Sequence, residues 1–219
     1  METHFHAQLD KMRLKVLEMA AYTQKAIEDA CKALLERDGD LAQKVIDNDM
    51  QINLLECEID DMSLRLLALD QPLAVDLRSI VGIMRVSVNL ERVGDEAVNI
   101  AEKAMFLSTR PPLPFGGQLK ELSDVALEMF RASIMAFREG DPDLARDICR
   151  WDSQCNALDV MVIKDLVNYM SKEAPAVERA VSTVLTSRSL ERVGDLSTNI
   201  AEAVVFIVEG VSIKHRICR

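Results

Sequence analysis

At 219 residues, 49% of them apolar, the chain can bury one or two sizeable cores. Its formal net charge of −10 excludes nonspecific nucleic-acid binding, which needs a basic, phosphate-neutralising face, and disfavours adsorption to an anionic bilayer. Cations, or a partner protein with a basic surface, suit such a charge.

The composition points to an all-α protein. Aromatics are only 4%, with 8 glycines and 6 prolines, too few for the strands and turns of a β fold. Ala, Leu, Glu, Arg and Met favour helices. The first helix is expected from about Phe5 to Glu36, with a seam at Phe5, Leu9, Met12, Val16, Met19 and Thr23 in steps of four and three. Asp38-Gly39-Asp40 stops it and caps a second helix, whose rhythm runs through Leu41, Val45, Ile52, Leu55, Ile59, Met62, Leu66 and Leu69. Asp70-Gln71-Pro72 breaks that helix. A third runs from about Leu73 to Leu107, with a seam at Ile83, Val86, Leu90, Val93, Ala97, Ile100 and Ala104.

Thr109-Arg-Pro-Pro-Leu-Pro-Phe-Gly-Gly117 cannot continue a helix. Leu113 and Phe115 suggest a linker that packs down. Three further helices then end near Glu139, Ser171 and Val208, separated by Gly140–Asp143 and a break at Pro175. The domain reading is therefore residues 1–108, a linker 109–117, and residues 118–219. Helices of about 30 residues are about 45 Å long, and short turns make them antiparallel.

The halves are repeats. Glu91-Arg-Val-Gly-Asp-Glu-Ala-Val-Asn-Ile-Ala-Glu102 returns as Glu191-Arg-Val-Gly-Asp-Leu-Ser-Thr-Asn-Ile-Ala-Glu202, identical at nine of twelve positions, offset by 100. Asp40-Leu-Ala, Asp49, Gln51, Asn53 and Leu55 match Asp143-Leu-Ala, Asp152, Gln154, Asn156 and Leu158 at an offset of 103. The fold expected is a tandem pair of antiparallel three-helix bundles, related by a pseudo-two-fold axis or stacked side by side.

The repeated polar positions are the candidate site. Around the helix axis, Asp95, Asn99 and Glu102 fall within about 80° of Glu91, with Ser87 beside them. Glu191, Asp195, Asn199 and Glu202 repeat that face, with Ser187. Asp49, Asn53 and Glu56 form a second stripe beside the apolar seam, repeated by Asp152, Asn156 and Asp159. Converging carboxylates repel unless cations lie between them, and Mg²⁺, Mn²⁺ and iron accept such oxygen ligands. Two plainer readings stay open: a solvated helix face, and ion pairs from Arg92 and Arg192 to these acids. Gly94 and Gly194 read as points of close helix approach rather than phosphate loops.

Catalysis finds no support. The three histidines, His4, His6 and His215, lie near the termini, and the Glu-x-x-His pairs of di-iron bundles are missing. The five cysteines, Cys31, Cys57, Cys149, Cys155 and Cys218, are odd in number and without C-x-x-C spacing, so buried thiols in a reducing compartment are expected. The start, Met1-Glu2-Thr3-His4, reads as polar, without a hydrophobic signal region. No apolar run approaches the ~18 residues of a membrane span.

The repeated Glu-Arg-Val-Gly-Asp and Asn-Ile-Ala-Glu motifs resemble the signature of the PhoU family. So do Asp40-Leu-Ala with Asp47 and Asp49, Gln71-Pro-Leu-Ala-Val-Asp-Leu-Arg78 and Ile207-Val-Glu-Gly-Val211. The resemblance implies metals on the acidic motifs, at Glu91, Asp95, Glu191 and Asp195, with Asn99, Glu102, Asn199 and Glu202 as additions. It also implies a cytoplasmic, non-catalytic regulator. Such a regulator restrains the phosphate ABC transporter, through its ATPase subunit, and quiets the phosphate-sensing histidine kinase when phosphate is plentiful. Asp49, Glu56, Asp152 and Asp159 complete the expected metal set, with the ion open among Fe, Mg, Mn and Zn; a homodimer is the expected assembly. Asp76 and Arg78 lack counterparts in Ala176-Val-Glu178, so the second site is expected to differ. The alternative is a metal-storage or redox protein that uses the carboxylate clusters directly.

Overall fold

The computed structural model describes residues 2–214; Met1, His215 and Cys218 lie outside the described residues. Among these, α1 is Glu2–Glu36, α2 Gly39–Asn48, α3 Met50–Asp70, α4 Ala74–Ser108, α5 Gly116–Glu139, α6 Pro142–Met170 and α7 Val177–Glu209. A single 3₁₀ turn, Ala174–Ala176, precedes α7, and no strand occurs among the described residues.

Local chemistry sets the boundaries twice over, in register with the repeat. Asp38 Oδ1 accepts from the Leu41 amide at 2.9 Å and caps α2. At the matching place, Asp141 Oδ1 accepts from the Asp143 and Leu144 amides at 2.9 and 3.0 Å and caps α6. Just before these caps, Arg37 and Gly140 take left-handed backbone, with φ of 61° and 66°. That conformation disfavours a residue with a Cβ. The Arg37 side chain is engaged there: it donates to the carbonyls of Leu107, Ser108 and Arg110 at and just beyond the end of α4.

One element differs from expectation. The second helix of the first half is two, because the Asp49 amide bonds back to the Ile46 carbonyl, three residues away, at 3.4 Å. Asp49 keeps helical angles, φ −58° and ψ −35°, so the apolar rhythm from Val45 to Ile52 survives the tightened turn. Its counterpart Asp152 sits inside an unbroken α6. The linker is also shorter than the composition suggests, because Gly116 and Gly117 already begin α5. Leu113 and Phe115 do pack down, onto a small cluster of Leu119, Val162, Leu166 and Ala180. Of the thiols, Cys31 and Cys155 are buried, Cys149 is half-buried and Cys57 is exposed.

Each half wraps its last helix: α1, α2 and α3 pack on α4, and α5 and α6 pack on α7. The two wrapped helices also pack extensively on each other. Arg192 of α7 meets Glu96 of α4 at 3.2 Å. Ile207, fifteen residues further on, meets Gly82, fourteen residues back, so α4 and α7 run antiparallel. This is a pseudo-two-fold arrangement, and most of the buried side chains of both halves form one continuous core.

Gly82 lets the ends of these helices close. A Cβ there would lie 2.1 Å from Ile207 Cγ1, which no packing tolerates. Gly82→Val should therefore cost at least the ~1–3 kcal/mol of an overpacked core, lowering the melting temperature by several degrees. Circular-dichroism melts of Gly82→Val in the parent and in Ile207→Ala should give a clearly smaller loss in the second background. Equal losses would place the strain elsewhere.

Candidate functional site

The acidic stripes meet where α4 and α7 come closest to the preceding helix of their own half, and glycine sets the distance. A Cβ on Gly94 would sit 3.1 Å from Ile52 Cδ1 and 3.5 Å from Asp49 Oδ1. On Gly194 it would sit 3.0 Å from Cys155 Sγ. The two glycines are close-approach points, as read from the sequence, and each brings a Glu-x-x-x-Asp pair against the stripe of its partner helix.

In the first half, Asn53 Nδ2 donates to Asp49 Oδ2 at 2.9 Å. Asp49 Oδ1 and Asn53 Oδ1 are both buried without a hydrogen-bond partner, a costly state for polar oxygens. Around them stand Glu56, Glu91 and Asp95, whose carboxyls are all held above the usual range. Partial burial is the main cause in each case, followed by repulsion among the acids. Among the described residues, Arg92 is the one cation that opposes it.

The second half repeats the arrangement. Asn156 Nδ2 donates to Asp152 Oδ2, again at 2.9 Å. Burial, then the charge of Asp195 and a hydrogen bond with that carboxyl, push Asp152 up. Glu191 is raised by burial, then by Asp195 and Asp159. Asp159 departs from Glu56. It is 1% exposed; Ser187 Oγ donates to its Oδ1 at 2.7 Å. Arg188 approaches Oδ2 to 2.8 Å, out of hydrogen-bond alignment. The second site thus has a cation of its own, and the two sites differ.

Eight of the twelve expected positions are brought together: Asp49, Glu56, Glu91 and Asp95 in one cluster, Asp152, Asp159, Glu191 and Asp195 in the other. The remaining four are not. Asn99 donates to Glu96 at 3.2 Å, and Glu102 lies 3.5 Å from Lys103. Asn199 and Glu202 line a separate cleft between α4 and α7. A rise of 1.5 Å per residue puts Glu102 about 10 Å along the axis from Asp95, too far for one ion to hold both. Arg92 and Arg192 do not neutralise the clusters by contact. Arg192 pairs with Glu96, a residue outside the expected set, at 3.2 Å.

These residues offer a metal only oxygen donors, several half-buried and short of counter-charge, with two oxygens unpartnered at the centre of the first cluster. That chemistry fits a hard cation. The present rotamers do not form a closed cage: among the described residues, no three His, Cys, Asp or Glu side chains converge on a metal-holding geometry. Binding would need the carboxylates to turn inward.

The repeat organisation has a match among known proteins. The family model described as the PhoU domain matches residues 16–104 and again residues 119–204. The chain belongs to the PhoU family. It is 37% identical to the phosphate-specific transport system accessory protein PhoU homolog of Pseudomonas putida over 212 residues, 96% of this chain and 83% of that one. The crystal structure of PhoU from Pseudomonas aeruginosa superposes with a TM-score of 0.92 at 35% identity, covering 94% of this chain and all of that one. The phosphate transport system regulatory protein PhoU from Streptococcus pneumoniae superposes with a TM-score of 0.88 at 25% identity, covering 95% of this chain and 98% of that one. In each PhoU repeat of this chain, the signature glycine is the contact point and the signature acids are what it brings together.

The raised carboxyls carry a sign. A group whose folded value lies above its unfolded value holds extra protons in the folded state, so stability falls as pH rises through that interval. In the presence of a chelator, Asp95→Asn should melt higher than the parent near pH 7. The advantage should shrink as pH falls and vanish below the ordinary aspartate value of about 3.9. A variant that melts lower at pH 7 would mean that Asp95 is satisfied in the folded chain.

Proposed function

We propose that this chain is an accessory protein of phosphate transport that acts as a negative regulator of phosphate uptake and of the phosphate-starvation response. The observation that carries the reading is the family match on both repeats, backed by superposition over nearly the whole chain. The protein works by contact. It binds the ATPase subunit of the phosphate ABC transporter and the phosphate-sensing histidine kinase, from the cytoplasmic face, as a homodimer. No helix among the described residues is long and apolar enough to cross a membrane, which agrees with a role reached through partners.

Divalent metal belongs to this reading. Asp49, Glu91 and Asp95, with the Asn53 carbonyl oxygen and Glu56 in reach, are the residues that would hold an ion in the first half. Asp152, Glu191 and Asp195 would do so in the second. Such an ion supplies counter-charge that the clusters lack and ties α3 to α4, and α6 to α7. The buried, unpaired oxygens of Asp49 and Asn53 support the assignment.

Two measurements test the proposal. Deleting the protein should leave phosphate-starvation genes on in ample phosphate, read by a reporter. Normal repression in the deletion strain would favour the metal-storage or redox alternative. For the metal, Glu91→Gln with Asp95→Asn should remove the share of bound divalent ion held by the first half. Glu191→Gln with Asp195→Asn should remove the rest, because amides are weaker ligands for hard cations than carboxylates. Elemental analysis beside a melting curve reads the outcome. Unchanged metal content with lowered stability would assign these acids a structural role only.

A further inference from the structure

The α4–α7 contact leaves two clefts, one on each side of the pseudo-two-fold axis, and they have diverged in charge. The first, about 380 Å³, is lined by Glu96, Lys103, Arg188 and Arg192 among others. Each of its cations has a carboxylate in ion-pair range: Arg192 has Glu96 at 3.2 Å, Arg188 has Asp159 at 2.8 Å and Lys103 has Glu102 at 3.5 Å. The cations of this cleft are therefore paired.

The second cleft, about 310 Å³, is lined by Arg85, Arg92, Asn199, Glu202 and Lys214, with Asn89 and Phe206 at its walls. Arg92 and Asn199 are the repeat counterparts of Arg192 and Asn99 in the first cleft. The position that supplies Glu96 there is Leu196 here, buried at 4% exposure, so the carboxylate that would have paired Arg92 is gone. Arg85 stands where the other half has Leu185, and Lys214 comes from the segment after α7. Among the described residues, no carboxylate lies within ion-pair distance of Arg85, Arg92 or Lys214. On a chain of net charge −10, three such cations in one concavity are out of keeping with the surface around them.

Their positions are held. The Arg85 guanidinium stacks on the Phe206 ring at 4.3 Å. Lys214 is brought in by a turn at Gly210, where φ is 75°. Arg78 Nε donates to the Ile207 carbonyl at 3.0 Å, and Ile213 packs on the core. The donors therefore approach from α4, from α7 and from the returning segment, which suits a tetrahedral ion better than a planar carboxylate.

We infer that this cleft binds a phosphate-class oxyanion, either free inorganic phosphate or the phosphoryl group of a phosphomonoester. Arg85, Arg92 and Lys214 supply the charge and Asn199 an amide donor. The inference does not rest on the regulatory reading. A purified protein binds the ion or does not, whatever a deletion strain shows.

The test is titration of the full chain with sodium phosphate, followed by calorimetry and ³¹P NMR, with chelator present so that no metal-bridged phosphate contributes. One ion per chain is expected. Arg85→Gln and Arg92→Gln should each weaken binding about tenfold or more, the scale of a lost charge-assisted hydrogen bond. Arg188→Gln, in the first cleft, should change it little. Melting curves check that each variant is folded, and exposed Lys214→Gln gives a further variant that leaves the helices untouched. Sulfate, of the same tetrahedral shape, should compete for the same site. A phosphomonoester that binds as well as phosphate would make the site a phosphoryl site on a larger ligand; one that binds much less would make it a site for the free ion. No binding at millimolar phosphate would overturn the inference. So would binding that Arg85→Gln and Arg92→Gln leave intact.

Discussion

The structure depends on two helices lying close and antiparallel. Once α4 and α7 pack along their length, with Gly82 admitting Ile207, every other helix has only to cover the outside of that pair. The acidic clusters fall on the outer flanks, where each central helix meets its own bundle. The clefts fall between the two central helices. The separation is incomplete in the second half, where Glu191 of the acidic cluster also lines the first cleft.

The metal reading and the anion reading share one residue. Among the described residues, Arg92 is the cation that eases the first acidic cluster, and it also lines the open cleft. Its charge acts on both sides of α4. An anion in the cleft draws on the same charge that the acids feel, so the two sites are electrostatically linked through a single guanidinium. In the second half Arg188 takes that place: it lies 2.8 Å from Asp159 and lines the other cleft.

Much of this was legible in the sequence, for reasons that can be named. The seam through Ile83, Leu90, Val93 and Ile100 is buried as its period required, and Asp38 and Asp141 cap as their residue type predicts. The motif glycines sit where the helices close. The tightened turn at Asp49 left no trace, because helical angles on both sides preserve the apolar rhythm. Asn99 and Glu102 were grouped with Glu91 because a helical projection discards distance along the axis. The Glu96–Arg192 pair was hidden because it depends on the register between α4 and α7, which no local pattern encodes. A clue was present: Glu96 faces Leu196 at one of only three mismatches in the twelve-residue repeat. Likewise Arg188, which neutralises Asp159, has Val88 as its counterpart.

The α4–α7 contact has the form of an isologous interface, in which each side presents to the other what the other presents to it. Two separate copies of one repeat would meet in the same way, at a cost set by their concentration. Joined by residues 109–115, they meet at a high effective concentration that does not fall on dilution. Fusion also breaks an obligation. In a symmetric pair every substitution appears twice, so a glutamate that closes one cleft closes both. In a single chain Glu96 can close one cleft while Leu196 leaves the other open, and a symmetric assembly acquires two unlike faces without changing its fold.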